Sequence, residues 1–75
     1  MPGLPRVTGV EMVRALNRAG WYQVSQVGSH KGLKHPTKPG KVTVPIHRGE
    51  TLPAPTVSSI LRQAGMTADE LRALL

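Results

Sequence analysis

The chain has 75 residues, enough for one domain spanning 1–75 and too few for a second. It contains no cysteine, which excludes disulfide frameworks, cysteine-ligated zinc and thiol catalysis. Ten Lys and Arg against four Asp and Glu give a formal net charge of +6, a balance that favours a polyanionic partner.

In chain order, Thr8-Gly9-Val10-Glu11 reads as a capping box, with Val7 and Met12 at the staple positions. The spacing predicts a helix from about Gly9 to Ala19, with Val10, Val13 and Leu16 on its apolar face. Gly20 is placed to end it, letting Trp21 fold back onto Leu16. Trp21 to Val27, rich in aromatic and β-branched residues, reads as a strand. Gly28-Ser29 is a break, either a turn or a bulge. A short strand follows from His30 to about His35, then a turn over Pro36 to Gly40. Lys41 to Ile46 alternates as a third strand, with Val42, Val44 and Ile46 inward and Pro45 marking an edge or an end.

Arg48 to Pro55 reads as an irregular connection. A second helix is expected from about Thr56, with Val57, Ile60, Leu61 and Ala64 buried and Gly65 closing it. Thr67-Ala68-Asp69-Glu70 repeats the capping box and opens a short last helix to Leu75. The fold class is α+β, an antiparallel three-stranded meander with helices on one face. No apolar run approaches the roughly 18 residues of a membrane span, and Met1 to Val7 lacks the features of a signal peptide, so a cytoplasmic location is expected.

Charge is distributed unevenly. Glu11, Asp69 and Glu70 fall where helix starts favour acids, and the only other acid is Glu50. From Met12 to Gly49 there is no acid, while Arg14, Arg18, Lys31, Lys34, Lys38, Lys41 and Arg48 fall there with all three histidines, His30, His35 and His47. Strand alternation puts His30, Lys34, Lys41 and His47 on the solvent side of the sheet, unless a bulge at Gly28-Ser29 reverses the parity. Lys31 and His35 go with Leu33 on the other side, His35 close to the turn.

A carboxylate-held Mg²⁺ centre does not fit so few free acids, and the histidine spacing does not suit zinc. RNA can be cut without a metal. Its 2′-OH attacks the adjacent phosphate if a base takes the proton and cations hold the phosphate, and His, Lys and Arg supply those roles near neutral pH. On composition alone a small basic domain with three histidines is more often a binder than an enzyme.

Four blocks carry a resemblance: Gly28-Ser29-His30, His35-Pro36, Val42-Thr43-Val44-Pro45-Ile46-His47, and Ile60-Leu61-Arg62-Gln63-Ala64-Gly65. In this order and spacing, over about Gly9 to Thr67, the chain resembles the HicA toxin family of bacterial toxin–antitoxin systems. The resemblance implies a fold like a double-stranded-RNA-binding domain, α-β-β-β-α. It also implies ribosome-independent cleavage of mRNA that arrests translation, with His30 as the catalytic residue and no metal or organic cofactor. The implied partner is a HicB antitoxin that covers the active site, in a hetero-oligomer. The chain departs from the family pattern at Gly32, where a larger side chain is expected, at Leu52 to Thr56, and in the tail from Thr67 to Leu75.

Candidate RNA contacts are Ser29, Lys31, Lys34, Lys41 and His47, with Lys38 in the same cluster. Ser29 has a second use, bonding the backbone at the break. His47 suits a structural or a phosphate role, and His35 a turn-packing role. Tyr22 and Trp21 suit base stacking, although Trp21 fits the core better. The second proton-transfer group is left open among His47, Lys34 and water. Two rival readings keep the same charge pattern: a non-catalytic RNA-binding module, and a subunit whose basic face meets an acidic protein.

Overall fold

The computed structural model describes residues 3–75, so Met1 and Pro2, at the start of the segment read above for a leader, lie outside the described residues. The element order is α1 (Gly9–Arg18), β1 (Tyr22–Val27), β2 (His30–Lys34), β3 (Val42–Pro45), α2 (Ala54–Ala64) and α3 (Ala68–Leu74). The strands form one antiparallel sheet in the order β1-β2-β3, as the meander reading expects.

Helix α1 starts and stops on local chemistry. The Thr8 hydroxyl accepts from the Glu11 N–H at 3.1 Å, and the Glu11 carboxylate accepts from the Thr8 N–H at 2.8 Å, which satisfies two otherwise unpaired donors. At the other end Gly20 takes φ +98°, and Trp21 returns its N–H to the Leu16 carbonyl at 2.9 Å. The buried stripe is Met12, Val13, Ala15 and Leu16. Val10, expected in it, is 42% exposed. At about 100° per residue Val10 falls on the flank opposite Met12 and Leu16.

The Gly28-Ser29 break is a two-residue turn, with Val27 paired to His30 across it and Gly28 at φ +58°. The bulge lies in β1 instead, between Gln23 and Ser25, so the parity of β2 and β3 is as the alternation gives it. Strand β1 starts at Tyr22, one residue later than expected, because Trp21 is held by α1. Strand β3 is shorter than Lys41 to Ile46, ending where Pro45 lacks a donor. Its outer edge is closed: the Thr43 N–H bonds the Gln63 side chain at 3.2 Å, and the next outward position is Pro45.

Helix α2 begins at Ala54, two residues before the expected Thr56, with Pro55 inside its first turn. Proline is tolerated there because first-turn N–H groups have no partner within the helix. Val57, Ile60, Leu61 and Ala64 are buried as read, and Gly65 closes the helix in the left-handed region at φ +65°.

The second capping box opens α3, with the Glu70 N–H on the Thr67 hydroxyl at 3.1 Å and the Thr67 N–H on the Glu70 carboxylate at 2.9 Å. Leu71 is fully buried and Leu74 packs against the core, so this helix closes the chain's own interior. Leu75, beyond the helix, stands half exposed. Arg18 ties α1 to α3 by donating to the Leu74 carbonyl at 2.5 Å. The helices share one core with Leu33, Val42 and Val44, and Trp21 lies within it at 1% exposure, which removes it as a stacking platform. Tyr22 remains half exposed.

Candidate active site

Register decides which side chains meet on the open face. Val27, His30 and Pro45 form one cross-strand row, and Ser25, Gly32 and Thr43 form the next. Tyr22 and Lys34 pair beyond them. Ser25, Val27, His30, Gly32, Lys41 and Thr43 line a shallow depression of about 240 Å³ in this face. His30 is exposed at the mouth of the β1–β2 turn, and its ring makes no hydrogen bond to a described residue.

The predicted residues divide between this face and other surfaces. Lys41 is beside His30, and Lys34 is on the same face by register. Lys31 pairs with buried Val44, so it belongs to the opposite face, half buried. Ser29 sits in the turn, where its carbonyl accepts the Ile46 N–H at 2.6 Å, and its hydroxyl makes no hydrogen bond among the described residues. His47 lies beyond the end of β3 and lines a separate recess with Glu50, Thr51 and Thr56. It therefore does not join His30, Lys34 and Lys41 on the sheet. Lys38 is on the helical side, in a recess with Ala19, Met66 and Glu70.

His35 is fully committed to structure. Its Nδ1 accepts from the Thr37 N–H at 3.1 Å and the Lys38 N–H at 3.2 Å. Its ring hydrogen therefore sits on Nε2, which donates to the Ala19 carbonyl at 3.1 Å. The ring also meets Trp21 edge-on, with centroids 5.3 Å apart. It thus joins the end of α1 to the turn after β2, the packing role read from its place beside Pro36.

Acids stay away from the depression. Glu11, Asp69 and Glu70 occupy helix first turns, and Glu50 lies in the His47 recess. Glu70 is held below the usual glutamate range by the Thr67 N–H and hydroxyl, with Lys38 adding a smaller pull. The His30 face thus combines an imidazole, hydroxyls and ammonium groups with no carboxylate among the lining residues. That set can bind a phosphodiester and move a proton beside it.

Sequence reasoning missed Ser25 and Val27 as members of this site, whereas the alternation of β2 puts Gly32 on the His30 side. The bulge in β1 shifts which of its residues share a face with β2, and nothing local in the sequence announces it. Thr43 was legible from the alternation of Val42 and Val44.

A model of the family described as the HicA toxin of bacterial toxin–antitoxin matches residues 9–66. A comparison with curated proteins returns no match. The matched stretch runs from the first residue of α1 to just past α2 and includes the whole sheet with the His30 depression. The chain belongs to the HicA toxin family.

Proposed function

We propose that the protein is a metal-independent endoribonuclease that cleaves mRNA and so arrests translation, acting in the cytoplasm and neutralised by a HicB-like antitoxin in a hetero-oligomer. The observation that carries this reading is His30, exposed with its ring unbonded among the described residues on a cationic face, in a chain of the HicA family. The enzyme needs a base near a 2′-OH and cations near the phosphate, and His30 and Lys41 line one depression.

In this reading the His30 imidazole takes the proton of the 2′-OH as that oxygen attacks the adjacent phosphorus. The bond from phosphorus to the 5′-oxygen breaks, and that oxygen leaves with a proton from a second donor. The products are a 2′,3′-cyclic phosphate and a 5′-hydroxyl. Lys41 and Lys34 hold the phosphate oxygens as charge develops. Ser29, Lys31 and His47 remain candidate contacts for more distant parts of the strand. An antitoxin that presents acids to the His30 face supplies inhibition by occlusion.

The test is cleavage of a single-stranded RNA in excess EDTA by the wild type and by His30→Ala, with the product ends identified. Cleavage by the wild type alone, leaving cyclic phosphate ends, supports the reading. Cleavage that survives His30→Ala, or that needs Mg²⁺, refutes it. RNA binding without any product favours the binding module. DNA of the same sequence stays intact because it has no 2′-OH.

A further inference from the structure

Gly32 lies in the middle of β2, paired to Ser25 on one side and Thr43 on the other. By register it faces solvent, yet it is buried, because neighbouring side chains cover it. A Cβ at this position meets the Lys41 Cε at once, with the Ser25 Oγ at 2.5 Å and the Lys41 Nζ at 3.0 Å. Glycine is not required here by the backbone, since Gly32 is not among the positive-φ glycines. What the missing side chain provides is space. A glycine inside a strand weakens it, and it commonly marks close approach of another group.

We infer that Gly32 is a positioning residue, which opens a slot across the sheet where Lys41 lies flat and its ammonium group forms, with the Ser25 hydroxyl, an anion-binding pair beside His30. The inference rests on the endoribonuclease reading and names the seat of the scissile phosphate within it. Lysine buries its methylenes along the strand and keeps its ammonium in the depression. The Lys41 Nζ and the Ser25 Oγ both lie within 3.0 Å of the place a Gly32 Cβ would take, so they are close enough to each other for a single non-bridging phosphate oxygen to bond both from the solvent side. The His30 ring lines the same depression, within reach of the sugar attached to that phosphate. Lys41 is a point charge on a flexible stem, and without the slot that charge has no fixed place on the face.

The test uses Gly32→Ala, Lys41→Met, Lys41→Arg and the Gly32→Ala/Lys41→Met double variant, each read in two ways. The first is cleavage of single-stranded RNA. The second is binding of the same RNA with 2′-O-methyl groups, which cannot be cut, titrated against salt. Gly32→Ala is expected to fold with an unchanged or higher melting temperature, since alanine suits a strand better than glycine and the groups that must move are the flexible lysine end and the Ser25 hydroxyl. It and Lys41→Met are each expected to slow cleavage about 10- to 100-fold and to lower the salt slope by about 0.7, the step for one lost phosphate contact on a single strand. The double variant is expected to be no worse than Lys41→Met, because Gly32 acts through Lys41. Lys41→Arg is expected to keep the salt slope while recovering only part of the rate.

Gly32→Ala that is well folded and cleaves like the wild type overturns the inference, as do losses that multiply in the double variant. If the wild type binds the methylated RNA but cuts nothing, the enzyme reading fails alone, and the shared drop in salt slope still decides the slot. If both single variants bind with the wild-type slope, the slot is refuted whatever the cleavage result.

Discussion

The two ends of β2 each carry a histidine, and they have opposite fates. His30 opens the strand, exposed, its ring unbonded among the described residues and flanked by Lys41 and Ser25. His35 follows the strand's last residue, with both ring nitrogens bonded to backbone and an edge against Trp21. The residue type is the same, and so is the basic stretch around it. What differs is whether the fold consumes the imidazole's donor and acceptor. A ring spent on Ala19 and the Thr37 turn cannot take a proton from a substrate without releasing those groups. Of these two rings, the one the fold leaves alone is the one free to exchange a proton in the proposed reaction.

Exchanging the two side chains for alanine should separate these fates, and the largest effect belongs to His30. His30→Ala is expected to reduce RNA cleavage by about 10²- to 10⁴-fold, the usual contribution of a positioned acid or base. Its stability should stay within about 0.5 kcal/mol of wild type, as for a surface change away from structural contacts. Cleavage rates normalised to folded protein, alongside urea unfolding, test both halves. A large loss of stability in this variant would erase the contrast.

His35→Ala should show the reverse pattern. It leaves the Ala19 carbonyl and two turn N–H groups without their partner and removes the contact on Trp21. A cost of about 2–3 kcal/mol is expected from the lost hydrogen bonds and the aromatic edge contact. Trp21 fluorescence reports the unfolding midpoint directly. Cleavage per folded molecule should stay within about threefold of wild type, a range too small for loss of an acid or base. If cleavage falls as far as in His30→Ala, the assignment of roles is wrong.

Much of this contrast was legible in the sequence, for reasons that can be traced. Both capping boxes, the Gly20 and Gly65 helix ends and the Val42/Val44 alternation are local signals, and each acts through bonds within a few residues. His35 beside Pro36 read as a turn residue on the same grounds. The features that escaped depend on partners far along the chain. The β1 bulge is set by pairing with β2, and it brings Ser25 and Val27 to the His30 face. His47 was assigned to that face by alternation, but β3 stops at Pro45 and the chain turns away before His47 can use its parity. Gly32 reads in the sequence only as a departure from the family pattern, where a larger side chain is expected, whereas the fold fills its space with the Lys41 stem.

Gly20 sharpens the comparison at a smaller scale. Its φ of +98° disfavours any side chain, and a Cβ there also meets the His35 Nε2 at 2.7 Å. Gly20→Ala is expected to cost about 1–2 kcal/mol, combining the left-handed strain with displacement of the ring. In a His35→Ala background only the backbone part should remain, so the two losses sum to less than their separate values. Unfolding midpoints of the four proteins in this cycle decide it. Strict additivity would show that the ring and the glycine do not share space in solution.

The smallest expected effect lies at Glu70, on the side of the molecule where Lys38 points away from the sheet. The Thr67 N–H and hydroxyl hold its carboxyl below the usual glutamate range, with Lys38 adding to the pull. A carboxyl whose folded value is depressed gives stability that is fully present above its unfolded value. That stability is lost as pH falls through the folded value, because below it both states are protonated. Glu70→Gln keeps an acceptor for the Thr67 N–H and removes the charge. The wild type should therefore melt slightly above the variant at neutral pH, and the gap should close as the solution is acidified through the carboxylate range. Melting curves of the two proteins between about pH 3 and pH 7 measure that gap. A gap that stays constant over the whole range would mean that α3 is held by the shape of its capping box and the burial of Leu71, with the charge contributing nothing.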